Sequence, residues 1–318
     1  MIINESDLDL SNSRRFVQFQ LWRDCDIGCE FCHNRGIGNK NSKIDNIDFV
    51  IDLINNNPTI KKFNEIGIIG GELFGKQLND SKTKSYFIKL IKTIVNSHFE
   101  KVYIGTALLY KDLSNLLETL EIFNNANKID NVLICTSYDT IYRFKNVNSE
   151  RLWDANMRAL RALYPTLKLH VETILTEDFC QRVINDSFNI REFEKEYDCR
   201  IDFIEPTINL PNITIDEFNN RLPSFLPKRK TFLTFMRKCK ETIGDFDWDG
   251  FLNPNLHSDL YFVEFNGKPF IFDGRRKKGD LLSEEFNVLL NRSFHYSRYS
   301  DVDKKLVDDA LIFKESLV

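Results

Sequence analysis

The chain has 318 residues, which at ~150 residues per domain allows about two domains or one elaborated barrel. Its 43 basic and 47 acidic residues give a net charge of −4, which argues against a protein that mainly grips duplex nucleic acid. Hydrophobic residues make up 42% and charged residues 28% of the chain, a globular composition that excludes a disordered or fibrous class.

The amino-terminal segment carries acidic residues and no apolar core of a secretory signal. No stretch approaches ~18 consecutive apolar residues, so no membrane span is predicted. We therefore expect a cytoplasmic protein without membrane association. In that compartment its 7 cysteines stay reduced and serve metal binding, catalysis or packing.

Six runs rich in β-branched and aromatic residues predict strands at Phe16–Trp22, Glu65–Ile69, Lys101–Gly105, Asn131–Thr136, Lys168–Leu175 and Arg200–Glu205. Between them, apolar stripes at helical spacing predict amphipathic helices. We expect Asp80 and Ser149 to be the N-caps of the second and fourth of these helices. Repeated strand–helix units predict an α/β fold, a curved parallel sheet or a partial barrel with its chemistry at the carboxyl ends of the strands.

The pattern changes after about residue 206, where prolines interrupt the chain. A helix is predicted around Phe232–Ile243. A hairpin is predicted from Tyr261–Phe265 and Lys268–Phe272, because Asn266-Gly267 is the preferred pair for a tight turn. We expect residues 207–318 to form a smaller α+β C-terminal portion.

Three cysteines follow the first predicted strand in the spacing C-x3-C-x2-C: Cys25, Cys29 and Cys32. Three thiolates on one loop can hold three corners of a 4Fe–4S cluster and leave one iron open to another ligand. A zinc knuckle would need a fourth ligand, and no second C-x2-C pair follows. The string Cys29-Glu-Phe-Cys32-His33 also matches c-type haem attachment, which belongs to exported proteins.

The triplet and a second motif, Gly70-Gly71-Glu72 at the end of the second strand, resemble the cluster loop and the GGE motif of the radical S-adenosylmethionine (radical SAM) superfamily. The resemblance covers residues 14–206, the first of two predicted domains. It implies a partial (β/α)6 TIM-like barrel and one 4Fe–4S cluster on Cys25, Cys29 and Cys32.

The resemblance also implies how S-adenosylmethionine (SAM) is bound and used. The open iron would take the amino and carboxylate groups of its methionine, and Phe31 would contact the adenine. Gly70 and Gly71 would let the main chain approach the methionine, with Glu72 or nearby carbonyls accepting from its ammonium. We expect substitution of the two glycines to spare the cysteine loop. Reductive cleavage of SAM would give a 5′-deoxyadenosyl radical that takes hydrogen from a substrate, with flavodoxin or ferredoxin as the electron donor.

Polar residues at the other strand ends are further candidates. The resemblance implies that Ser137, and after it Asp139, contacts the ribose or carboxylate of SAM; a turn or N-cap role is the alternative. Glu172 on the fifth strand is expected to meet SAM or substrate, or else to be solvated or salt-bridged. Thr106 and Glu205 are weaker candidates for the barrel mouth.

The C-terminal hairpin resembles that of the SPASM/twitch extensions of peptide-modifying radical SAM enzymes, although Phe272 stands where the extension has cysteine. The implied substrate is a peptide or protein residue, which makes residues 207–318 a candidate substrate-binding portion. Two basic runs, Lys228–Lys230 and Arg275–Lys278, leave a nucleoside, nucleotide or RNA substrate as an alternative. A non-enzymatic zinc- or cluster-binding protein is the other alternative.

Overall fold

The structure is a computed structural model that describes residues 15–29, 42–57, 60–204, 227–243, 258–265 and 268–273. Its strands are β1 (Arg15–Gln20), β2 (Glu65–Ile69), β3 (Lys101–Gly105), β4 (Val132–Ser137), β5 (Lys168–Ile174), β6 (Cys199–Ile204), β7 (Ser258–Phe265) and β8 (Lys268–Asp273). Strands β1 to β6 are all parallel and lie in chain order across the sheet. With helices between them, these strands form the α/β partial barrel that was predicted.

The helices are α1 (Lys43–Asn56), α2 (Ser81–Val95), α3 (Ser114–Asn125), α4 (Val147–Leu163), α5 (Glu177–Ile184), α6 (Ile190–Tyr197) and α7 (Arg229–Ile243). Asp80 is the N-cap of α2, as predicted, and its side chain accepts from the N–H of Thr83 at 2.7 Å. The prediction that Ser149 caps α4 is wrong. Asn146 is the cap, and its side chain accepts from the N–H of Ser149, which lies inside the first turn.

The two faces of the sheet differ in burial. On β4, for example, Val132, Ile134 and Thr136 are buried, while Cys135 and Ser137 alternate with them and are only half-buried. Helices cover the outer face of a barrel, so the buried set points outward to the helices. The alternating set lies on the inner face, which is where the site is assembled.

The C-terminal hairpin is confirmed, since β7 and β8 pair in antiparallel register. The turn pair Asn266-Gly267 lies outside the described residues. β7 also pairs in parallel with β1, and so extends the sheet beside the strand that leads into the cysteine loop. Among the described residues, no helix is long and apolar enough to cross a membrane.

Candidate functional site

The cysteine loop begins at the carboxyl end of β1. Cys25 is half-buried, and Cys29 is 5% exposed and packs against Ile174 at the end of β5. Gly28, between the two cysteines, has a φ of +65°, a left-handed conformation that glycine adopts without a steric cost. Phe31 and Cys32 lie outside the described residues, so their roles stay predictions.

Hydrogen bonds join the cysteine loop to the Gly70-Gly71-Glu72 segment. The N–H of Gly71 donates to the carbonyl of Trp22 at 2.9 Å, and that of Glu72 donates to the carbonyl of Asp24 at 3.2 Å. The indole N–H of Trp22 donates to the carbonyl of Glu72 at 2.9 Å. Two motifs separated by some fifty residues of sequence therefore form one joined unit at the carboxyl edge of the sheet.

The glycines permit this close approach of the two segments. A Cβ on Gly71 would lie 2.2 Å from the carbonyl oxygen of Asp24 and 2.4 Å from that of Arg23. A Cβ on Gly70 would lie 2.9 Å from Leu73 Cδ2 and 3.0 Å from Trp22 Nε1. A Cβ on Gly71 would push against the main chain that leads into the cysteine loop, which argues against the expectation that substitutions here spare that loop.

Glu72 is buried, and its carboxylate accepts three hydrogen bonds from the protein. Oε1 accepts from the hydroxyl of Thr106 at 2.7 Å and from the N–H of Phe74 at 3.1 Å, and Oε2 accepts from the N–H of Ala107 at 2.7 Å. Burial raises the pKa of Glu72, although these three hydrogen bonds favour the carboxylate. The side chain joins the end of β2 to the segment after β3, and the hydroxyl of Thr106 has a structural role in that connection.

Asp139 follows β4 and its carboxylate closes a turn. Oδ1 accepts from the N–H groups of Ile141, Tyr142 and Arg143 at 3.1, 2.5 and 3.1 Å. Burial raises the pKa of Asp139, although these hydrogen bonds act to lower it. This carboxylate therefore has the turn role that was the alternative for Asp139, while its contact with SAM stays a prediction.

Ser137 and Glu172 are neighbours on the inner face, since they are paired across β4 and β5. Ser137 is half-buried at the last position of β4, and Glu172 is half-buried one inner-face step before Ile174. Burial raises the pKa of Glu172. Both candidates therefore lie at the carboxyl end of the sheet, where they were expected.

Arg143 was not foreseen from the sequence. Its half-buried guanidinium acts electrostatically on three carboxylates from different strand ends, and favours the charged form of each: Glu72, Asp139 and Glu172. Nothing in the pattern of its segment marks this arginine, because the turn at Asp139 is what carries it back over the strand ends.

The described part of the site fits an iron–sulfur cluster. Cys25 and Cys29 offer soft sulfur donors on one loop, and the apolar contact of Cys29 with Ile174, Ile27 and Tyr142 shields that donor from water. Within the described ranges, no three His, Cys, Asp or Glu side chains are placed to bind a metal. The third predicted ligand, Cys32, lies outside them.

No family model matches the chain. No curated protein matches it. Among solved structures it is similar to "Native anSMEcpe with bound AdoMet and Cp18Cys peptide", with a TM-score of 0.49 and 16% identity over 77% of this chain and 62% of that one. It is also similar to Streptococcus suis SuiB, with a TM-score of 0.46 and 12% identity over 81% of this chain and 60% of that one. The chain thus spans less than two thirds of either, and likenesses this distant leave its chemistry to be argued from its own residues.

Proposed function

We propose that the protein is a radical SAM enzyme that holds one 4Fe–4S cluster on Cys25, Cys29 and Cys32 and binds SAM beside the Gly70-Gly71-Glu72 segment. The observation that carries the proposal is the hydrogen-bonded junction between the two segments, above all the Gly71–Trp22 and Glu72–Asp24 bonds. If the C-x3-C-x2-C triplet had arisen by chance, we would not expect its loop to be hydrogen-bonded to a glycine pair at the end of the next strand. When bound and reduced, the cluster would supply the electron that cleaves SAM.

The chain's own residues would position and shield that chemistry. The Cys29 side chain lies against Ile174 and Tyr142, which keeps water from one side of the loop. Glu72 and Asp139 hold the segments after β2, β3 and β4 at fixed positions through their main-chain donors. Arg143 lies near these strand ends, where its charge favours the ionised form of the Glu72 and Asp139 carboxylates that hold the segments.

We further propose a peptide or protein residue as substrate and a cytoplasmic location with a flavodoxin or ferredoxin as electron donor. Support for the substrate comes from the C-terminal hairpin, which resembles that of peptide-modifying radical SAM enzymes. Its strand β7 pairs with β1, whose carboxyl end carries the cysteine loop. Residues 14–206 would then be the catalytic core, with 207–318 bordering it as the substrate-binding portion.

The test is anaerobic reconstitution with iron and sulfide, followed by reduction with dithionite in the presence of SAM. The proposal requires a brown protein, a 4Fe–4S signal in electron paramagnetic resonance after reduction, and formation of 5′-deoxyadenosine. A colourless protein that holds one tightly bound zinc would contradict it and favour the non-enzymatic alternative. A brown protein that never forms 5′-deoxyadenosine would favour a cluster-binding protein instead.

A further inference from the structure

Strands β5 and β6 bring four polar side chains together on the inner face of the barrel, here called the inner polar cluster: His170, Glu172, Arg200 and Asp202. The register pairs His170 with Arg200 and Glu172 with Asp202, so all four share one face of the sheet. Polar groups that lose contact with water require partners. The Arg200 side chain is exposed, whereas His170 and Glu172 are partly buried. The partners of each group therefore show which of them is available to a ligand.

Asp202 has partners for both of its oxygens. His170 Nε2 donates to Oδ2 at 2.8 Å, and Arg200 Nε donates to Oδ1 at 3.0 Å. Burial opposes ionisation of Asp202, but these bonds prevail and lower its pKa. Asp202 is thus a neutralised carboxylate that holds His170 in place.

Glu172 differs from Asp202 in this respect. Among the described residues its carboxylate makes no hydrogen bond or ion pair, although the side chain is half-buried. Burial raises its pKa, with Asp202 adding to that effect and His170 and Arg143 opposing it. An ionised carboxylate can only accept hydrogen bonds, so this one lacks a donor that a ligand could bring.

The position of Glu172 is suited to a ligand that lies under the cysteine loop. Ile174, two residues further along β5, contacts Cys29. Two residues of a parallel strand span about 6.6 Å, which places Glu172 about that far before Ile174 along β5. The inner face next to Glu172 carries Ser137 on one side and Asp202 on the other.

The charge of this region selects the chemistry of the ligand. The carboxylates of Glu72, Asp139, Glu172 and Asp202 outnumber the guanidinium groups of Arg143 and Arg200 that act on them, so the region is negative when those carboxylates are ionised. A phosphate or carboxylate at Glu172 would be repelled. A cationic nitrogen would supply the hydrogen-bond donor that Glu172 lacks and would be attracted by the negative charge of the region.

We propose that Glu172 binds a cationic nitrogen of the substrate, the ammonium or guanidinium of a lysyl or arginyl side chain in a peptide. The proposal rests on the peptide-modifying function proposed above. It makes Glu172 a specificity-determining residue, and it argues against the nucleotide alternative, whose phosphates carry the wrong charge.

The test measures peptide binding by calorimetry, anaerobically, on the reconstituted full chain saturated with SAM. The probes are acetyl-Gly-Lys-Gly-amide and its norleucine counterpart, which has a similar chain length but no charge. One charge-assisted hydrogen bond should make the lysyl peptide bind about 10- to 100-fold more tightly. In Glu172→Gln this preference should disappear.

Glu65→Gln is the matched control, because Glu65 is also an inner-face carboxylate but already has Lys101 Nζ at 2.7 Å and Tyr103 Oη at 2.9 Å as partners. It should keep the lysyl preference. Equal binding of the two peptides by the wild type, including binding of neither, would overturn the proposal.

The affinity for SAM alone, measured in the same variants, shows whether the cation that Glu172 binds belongs to the peptide or to SAM. If Glu172→Gln weakens SAM binding as much as it weakens the lysyl peptide, the carboxylate serves the charged groups of SAM and the proposal is overturned. A chain that assembles no cluster contradicts the proposed function; the lysyl preference is then measured on the same chain without SAM, which keeps the two failures distinguishable.

Discussion

Substitution Gly71→Ala tests the junction between the two motif segments most directly. The added Cβ would lie 2.2 Å from the carbonyl oxygen of Asp24 and 2.5 Å from its carbonyl carbon. These atoms belong to the main chain, so no side chain can rotate away to make room. The cysteine loop must move by about 1 Å, given that carbon and oxygen pack at roughly 3.4 Å.

The magnitude follows from the contacts that this movement disturbs. Overpacking of a tight site costs about 1–3 kcal/mol. The hydrogen bonds from Gly71 to Trp22 and from Glu72 to Asp24 contribute about 0.5–1.5 kcal/mol each, and both stretch when the loop moves. We expect the free energy of unfolding to fall by about 2–6 kcal/mol, a large share of what a domain normally has.

The assay is urea unfolding of the chain, with iron per chain counted after reconstitution. Gly105→Ala is the matched control, because its Cβ would meet the Cγ2 methyl of the half-buried Ile69 side chain at 2.9 Å and no main-chain atom closer than 3.8 Å. Gly105→Ala should retain iron and lose less stability than Gly71→Ala, which should lose both. Wild-type stability and iron content in Gly71→Ala would refute the view that the glycine serves the approach of the two segments.

Three further predictions follow from single side chains. Cys25→Ala should abolish iron binding on reconstitution, whereas Cys135→Ala, which alters a half-buried thiol on the inner face of β4, should leave the iron content unchanged. Glu72→Gln should lower the free energy of unfolding by about 1–3 kcal/mol in urea titrations, because its amide NH2 must face an N–H or O–H donor; an unchanged midpoint would contradict this. Because the pKa of Glu172 is raised above its ordinary value of 4.5, the cluster-free wild type should lose stability as the pH rises from 4.5 through the raised pKa. Glu172→Gln does not titrate, so its thermal stability relative to the wild type should increase with pH over this range. A difference in thermal stability that is the same at every pH would count against a raised pKa.

The regular elements were largely predictable from local pattern. Glu65–Ile69 and Lys101–Gly105 are found with the predicted bounds, because alternation or continuous apolar character distinguishes them from their polar flanks. The cap at Ser149 was not predictable in the same way. Two competent capping residues, Asn146 and Ser149, lie three positions apart, and the helix begins after the first of them.

The positions of the candidate residues were predictable, but their contacts were not. The carboxyl end of each parallel strand faces the same edge, which is why Gly71, Ser137 and Glu172 could be placed there from sequence. That Gly71 meets the main chain of Asp24 depends on how two loops fold back on each other. The action of Arg143 on three carboxylates depends likewise on a turn that only the assembled structure defines.

Glu72 and Glu172 show why residue type and strand position alone do not assign a role. Both are acidic residues at the carboxyl side of the barrel, and burial raises the pKa of both. Glu72 already accepts three hydrogen bonds from its own chain, which leaves about one of its four acceptor sites for a ligand. Glu172 has no such donor among the described residues, so a cationic ligand would gain a hydrogen bond there without breaking one. The difference in donors gives Glu72 a framework role, with its contact to SAM still a prediction, and makes Glu172 the carboxylate from which recognition of a substrate should be sought.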